Sequence, residues 1–478
     1  MDAAYHRVAP NLRDRVGVEI ETLEGLDSVK LKRLDALEQP PSLLALQGVV
    51  KPLVPTVDLP DLLLEVIARS HADAGFTPAS GNAPRIKDLR TSLCAVLLSQ
   101  ATNVGLEAVV ADANLALKRS RLSRVLREYL RGETVERANA LLVNAQNAIP
   151  LARAWGGGEL ASADGLHFTV PPRSMFTASN PRYFGVGRGV TYYNFTSDQF
   201  TGFHGIVYPG SHREATFALD GLLEQLNDLE PKELVADTGG YSDASFGLLW
   251  LMGYQFSPRL ANFGELRFYR IDRKANYGEL NRIAKHRINL EKIRRHWDDL
   301  LRLCGSITLG VVRASDALRA LQSGAYRSSI SEALDELGRI AKTLYLLAYL
   351  DDPMYRRRIL TQGNRHEGRH ALMRGVSFAR RGLLYQSLHD GMALQLASLS
   401  LVTNAIVLWN TWYMNLALEQ LARDGVAVDP ADVSRLSPLG HAHIRLYGRY
   451  GFVVDPHVAR GGFRALGQGG SGDVLDEG

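Results

Sequence analysis

The order in which strand-like and helix-like segments follow one another after Gly156 limits the fold of this chain more than any other feature. From Gly156 to Pro209 the sequence is rich in glycine, aromatic and β-branched residues. The segments ELASADGLHFTV, GVTYYNFTSD and FHGIVYPG read as three strands separated by Gly/Pro turns. A helical run, ATFALDGLLEQLNDL, comes next, then a short strand, ELVAD, ending in the turn TGG. A helix (SDASFGLLWLMG) and a last short strand (YQFSP) complete the series. Three strands, helix, strand, helix, strand predicts an α/β chain with a mixed sheet and helices packed on it.

The flanks read differently. Residues 1–58 are of mixed charge, are broken by Pro40-Pro41, Pro52 and Pro55, and show no strong period, so they are expected to be a connecting region. Residues 59–152 place Leu, Val and Ala at helical spacing in DLLLEVIARS, KDLRTSLCAVLLSQATN and ETVERANALLVNAQNAI, and predict a helical domain. Pro150 ends the last of these helices or lies just past it. The sheet segment occupies 153–262, a mostly helical insertion 263–354, and a further helix 355–385. C-terminal helices over 386–457 and a flexible tail over 458–478 close the chain. Asp429-Pro430 is a helix N-cap and first-turn pair, and Gly425 suits a helix end.

At 46% hydrophobic and 22% charged residues the composition is that of a folded protein, and a net charge of +4 does not by itself demand a polyanionic partner. Cys94 and Cys304 lie in apolar runs with no Cys-x-x-Cys, which predicts two free thiols and no thiolate zinc site. The N-terminus lacks an apolar stretch of signal-peptide type. Leu394–Leu418 is interrupted by Ser398, Ser400, Thr403, Asn404, Asn410 and Asn415, which fits a buried helix better than a membrane span. A soluble cytoplasmic chain, at the nucleoid when on DNA, is the expectation.

Two aspartates mark the sheet. Asp164 lies within the first strand segment, and Asp237 ends the fourth. Glu367 is the only acid in RRRILTQGNRHEGRHALMRGVSFARR, among eight arginines. Carboxylates brought together repel unless cations separate them. Oxygen-only ligation suits magnesium or manganese, and a metal pair activates an attacking hydroxyl at phosphorus. The surrounding arginines match a phosphodiester backbone.

The blocks AWGGGELASADGLHF, GRGVTYYNFTSDQFTGFHGIV, ADTGGYSD, GYQFSPRLA, AKHRINLEKIRRHWDD, GRIAKTLYLLAYLDD, RRRILTQGNRHEGRHAL, LVTNAIVLWNTWY and RLSPLGHAHI make the chain resemble the C-terminal half of Tn-three-family transposases of the DDE type. The resemblance covers roughly residues 38–457. It implies an RNase H-like core interrupted by a helical insertion and preceded by a helical domain. It maps the catalytic, metal-holding acids onto Asp164, Asp237 and Glu367, with Mg2+ or Mn2+, two ions, as cofactor. The implied reaction is 3′-end nicking and strand transfer on DNA by a homo-oligomer, expected to be a dimer. The family usually reads N-[KR]-G-E before R-H-A-L, whereas this chain has Asn364-Arg365-His366-Glu367, with Gly363 upstream where a leucine is common. The family's N-terminal end-recognition half is not in the sequence. The alternative expectation is therefore a truncated, non-catalytic DNA-binding remnant or regulator of a full-length transposase.

His366-Glu367-Gly368-Arg369-His370 also fits the zinc signature H-E-x-x-H, but the arginine-rich surroundings suit phosphate better. GVGRG at 185–189 leads into a strand and not a helix, so it reads as a loop. Residues 270–296 hold nine Lys/Arg against three acids. With a polynucleotide implied, Lys285, Arg287, Arg294 and Arg295 become DNA-backbone candidates. Lys342, Arg365, Arg369 and His370 are further candidates near the metal site. Trp409-Asn410-Thr411 and His441/His443 read as packing and satisfied polar groups, and Asp198 reads as a strand-end residue.

Overall fold

The computed structural model describes residues 1–12, 17–23, 26–81, 86–210, 214–237, 241–260, 262–322, 328–448 and 450–467. The turn at 238–240 and the tail beyond 467 lie outside the described residues.

The expected strand series forms one mixed sheet. We label its strands β1 (Leu160–Thr169), β2 (Arg188–Ser197), β3 (Gly202–Pro209), β4 (Glu233–Ala236) and β5 (Gln255–Phe256). β1 pairs antiparallel with β2 and β2 with β3, while β1–β4 and β4–β5 are parallel, so the order is β3-β2-β1-β4-β5. A two-residue strand, Ala178–Ser179, adds to β2. The helical run after β3 is shorter than the sequence suggests, with a 3-10 turn at Glu214–Phe217 and a helix only over Ala218–Leu223.

Each face of the sheet belongs to a different apolar core. Leu166, Phe168, Val190, Tyr192 and Val207 join the core built around helix His389–Arg423. Ala161, Ala163, Phe195, Phe203 and Leu234 join the core of the insertion helices. Three helices order the site. They are α1 (Ser329–Asp351), α2 (Pro353–Val376) and α3 (His389–Arg423). α1 crosses helix Asp243–Leu251 at a glycine contact, where a Cβ on Gly338 would lie 1.7 Å from the Asp243 carbonyl oxygen. α3 is the one described helix long and apolar enough to cross a membrane, but it is packed inside, against helices Leu59–Ser70, Leu89–Ala101 and Gly132–Asn147. Its interrupting polar groups are satisfied there. Asn404 donates to the Gly202 carbonyl (2.7 Å), and Asn410 to the carbonyls of Pro438 and Gly440 (2.7 Å each).

Two sequence expectations need correction. Residues 1–58 carry helix Asp2–Val8, a hairpin of Val18–Leu23 and Leu26–Leu31, and helix Pro41–Leu53. Tyr5 there is fully buried and donates to the Tyr269 carbonyl (2.6 Å), so long-range packing orders what lacked a local period. Pro150 lies just past helix Gly132–Asn147, as read, and it also opens helix Pro150–Trp155, where its missing N–H costs nothing. The first part of the expected flexible tail is docked. Arg464 bonds buried Glu65 (2.9 Å), and the Arg69 guanidinium lies 3.6 Å from the Phe463 ring centre. The Asp429 cap and the left-handed Gly425 are present as read, and both cysteines are free thiols.

Candidate active site

Parallel pairing sets two of the acids side by side. Ala163 is opposite Ala236, so the next residue on each strand is an aspartate, Asp164 on β1 and Asp237 just beyond β4. Residues opposite one another in a parallel pair project to the same face. α2 lies over that face of β1 and β4. Its N-cap is Asp352, which accepts from the Met354 N–H (2.7 Å), with Pro353 in the first turn. Glu367, two-thirds of the way along, is exposed toward the sheet edge. Asp164, Asp237 and Glu367 line one small pocket with Ser162, Arg259, Gly363 and His366.

The rotation of α2 about its axis is fixed by polar residues spaced four apart, Gln362, His366 and His370. Gln362 donates to Ser162 Oγ and to the Thr196 carbonyl (3.0 Å each). His366 Nδ1 bonds Ser162 Oγ (2.9 Å), and its Nε2 meets His370 Nε2 (3.0 Å). Asn194, opposite Asp164 on β2, bonds His370 Nε2 (2.7 Å) and donates to the Asp164 carbonyl (3.2 Å). Each such bond stabilises by about 1 kcal/mol net and would cost more if left half-made in the interior. Glu367 is thereby held one residue round the helix from a locked face.

The carboxyl of Asp164 is 31% exposed. Burial raises its pKa to about 6, the charges of Asp237 and Glu367 add to the rise, and the Gly165 N–H (2.8 Å) and Arg259 oppose it. Burial lowers His366 to about 3, with the Arg369 charge acting in the same sense, and holds His370 well below its ordinary value. His370 is thus a neutral ring, and its Nδ1 stands 3.7 Å from Asp164 Oδ2, too long for a hydrogen bond. Among the described residues no three His, Cys, Asp or Glu side chains are gathered as a ready cage for an ion. The two histidines of the H-E-x-x-H match are spent on each other, Ser162 and Asn194.

The basic residues sort into two groups. Lys285, Arg287, Arg294 and Arg295 are all exposed on the insertion, with Arg294 3.8 Å from Glu291. Arg369 is corrected as a DNA contact, since it is fully buried and donates to Ser400 Oγ (2.9 Å). Its guanidinium lies where a Cβ on Gly202 would be, so a side chain at that position of β3 would have to displace it. His370 is buried as described. Arg365 donates to the carbonyls of Trp155 (3.2 Å) and Asp198 (2.6 Å), and Lys342 pairs with Asp243 (3.2 Å), so both serve the scaffold. Asp198 sits past the end of β2 and accepts from the Gly158 N–H (3.0 Å), a strand-end role.

Sequence reasoning missed Arg259, Ser162, Gln362 and Asn194. Arg259 had a signal, an arginine three residues past the short strand at the edge of the sheet. The four-residue spacing of Gln362, His366 and His370 was the signal for the lock.

A family model described as the Tn3 transposase DDE domain matches residues 61–450. The chain belongs to the Tn3 transposase DDE family. It is 47% identical over 466 residues to the transposase for transposon gamma-delta of Escherichia coli (strain K12), covering 98% of this chain and 46% of that protein. It is 42% identical over 466 residues to the transposase for transposon Tn4556 of Streptomyces fradiae, covering 98% and 52%. Against the transposase for transposon Tn1546 of Enterococcus faecium it is 34% identical over 414 residues, covering 87% and 42%. The chain spans about half the length of the curated relatives it matches. Within this Tn3-family chain, His366 turns its ring onto Ser162 and His370, while Glu367 beside it faces the pocket.

Proposed function

We propose that this chain carries the catalytic core of a DDE transposase, which nicks a DNA strand at a transposon end and joins the freed 3′-hydroxyl to target DNA. The single observation that supports it is the pocket shared by Asp164, Asp237 and Glu367, drawn from two neighbouring parallel strands and one helix. The strand order β3-β2-β1-β4-β5 is compatible with an RNase H-like core, which is part of the proposal.

The residues fit a divalent cation. All three donors are carboxylate oxygens, the set that suits Mg2+ or Mn2+. The pKa of Asp164, raised by burial and by its two acidic neighbours, reports negative charge that cations would relieve. Two such ions held by Asp164, Asp237 and Glu367 would supply activation of the attacking hydroxyl and neutralise charge at the leaving oxygen. The protein's own part is placement. The Gly165 N–H fixes one oxygen of Asp164, and the Gln362–Ser162–His366 contacts fix the helix that carries Glu367. Lys285, Arg287, Arg294 and Arg295 would grip the DNA backbone, and a dimer on DNA is the proposed assembly.

The test is nicking of supercoiled DNA bearing the cognate ends, with Mg2+ against EDTA. Wild-type protein should nick only with the metal. Asp164→Asn, Asp237→Asn and Glu367→Gln should lose nicking and keep DNA binding. Unchanged nicking by Asp164→Asn refutes the assignment, and wild-type binding without nicking in Mg2+ and Mn2+ replaces it with a DNA-binding regulator.

A further inference from the structure

Among the described residues, Arg259 is the only arginine or lysine that lines the pocket of the three acids. It arrives there through the sheet. β5 continues the parallel pairing with β4 past its own end, with the Ser257 N–H donating to the Leu234 carbonyl and the Arg259 N–H to the Ala236 carbonyl (2.8 Å each). Arg259 therefore leaves the sheet level with Asp237, on the side away from Asp164.

Among the described residues its guanidinium makes no hydrogen bond. Nη1 stands 3.9 Å from Asp237 Oδ1, beyond hydrogen-bond reach, and the side chain is 39% exposed. Three arginines of α2 differ. Arg358 is bonded to Glu233, Arg365 to two carbonyls and Arg369 to Ser400. The helix gives Arg259 room, because the residue one turn before Glu367 is Gly363, where a Cβ would lie 3.5 Å from Arg259 Cδ. A larger side chain there would reach into the path of the arginine.

We propose that Arg259 is a catalytic residue of this site, resting on Asp237 when DNA is absent and moving to the non-bridging oxygens of the scissile phosphodiester when DNA enters. The proposal rests on the transposase reading above. A guanidinium fork matches two phosphate oxygens, and it is worth most where charge builds on those oxygens during displacement at phosphorus. Near clustered carboxylates the same cation offsets their repulsion, so it competes with a metal for Asp237 until substrate draws it away.

Two measurements on the full chain test this. In the first, Mn2+ binding is followed by electron paramagnetic resonance without DNA, and Arg259→Ala should bind Mn2+ several-fold more tightly than wild type. In the second, cleavage is compared on ends whose scissile linkage is a phosphodiester or a neutral methylphosphonate. Arg259→Ala should cleave the phosphodiester about 100-fold more slowly or worse, the scale of losing one positioned donor. Arg259→Lys should fall between, keeping the charge without the fork. On the methylphosphonate, wild type and Arg259→Ala should cleave alike. Wild-type cleavage by Arg259→Ala, or an equal deficit on both linkages, overturns the proposal. If wild type cleaves neither linkage, the transposase reading fails, and the Mn2+ comparison decides alone, unchanged affinity overturning the role of Arg259.

Discussion

Replacing Asp164 by Asn should make the metal-free protein more stable at neutral pH. In the unfolded chain the carboxyl titrates near 3.8, and in the folded chain burial, together with Asp237 and Glu367, raises it to about 6. Between those values the folded state holds a proton that the unfolded state has lost. Stability therefore falls as pH rises from about 4 to about 6, and the loss stays complete above that. A shift of about two units at about 1.4 kcal/mol each gives roughly 3 kcal/mol. Solvent reaches 31% of the side chain, so screening leaves about 1–2 kcal/mol. Asn keeps an oxygen for the Gly165 N–H and removes the charge. Urea unfolding in EDTA should place Asp164→Asn above wild type by that amount at pH 7.5, with the gap nearly closed at pH 4. Saturating Mg2+ should narrow it at pH 7.5 by stabilising wild type through binding to the folded state. A variant no more stable than wild type at pH 7.5 in EDTA would refute the claim that burial, with the neighbouring acids, penalises the ionised Asp164.

Other perturbations probe the scaffold and the proposed DNA surface. Gly338→Ala sets a Cβ 1.7 Å from the Asp243 carbonyl oxygen and should cost about 3 kcal/mol or more. Gly48→Ala, with nothing within 4 Å in helix Pro41–Leu53, should gain up to about 1 kcal/mol, and paired denaturation curves compare the two. Glu65→Ala strands Arg69 and Arg464 beside buried Tyr413 and should cost about 3–5 kcal/mol. Limited proteolysis should then cut within 461–467, and an unchanged digest would count against the docked segment. Changing Lys285, Arg287, Arg294 and Arg295 to Ala should weaken DNA binding on any sequence and lower the salt slope by about 1 per residue. An unaltered slope would remove that face from the DNA path.

Local chemistry made much of the fold readable. β1, β2 and β3 announce themselves by β-branched and aromatic runs between turns, and the Asp429-Pro430 cap needs only neighbouring residues. The stretch before residue 58 was misread because Tyr5 and the Val18–Leu31 hairpin are ordered by contacts far along the chain. Within the site, the residue types suited to oxygen ligation were visible as Asp164, Asp237 and Glu367. The partners that aim them, Ser162, Asn194 and Gln362, look like ordinary polar residues in sequence.

The sequence alone determined the order of the elements, the two aspartates at strand positions and the lone acid among eight arginines, because propensity and charge are carried by each residue and its neighbours. Tertiary structure decided which charges meet. The β1–β4 register set Asp164 beside Asp237, and the polar lock on α2 turned Glu367 to the pocket and Arg369 into the core. β5 brought Arg259 to the acids in place of the helix arginines. Coulomb energy depends on distance and on the surrounding medium, and neither exists until the chain has folded.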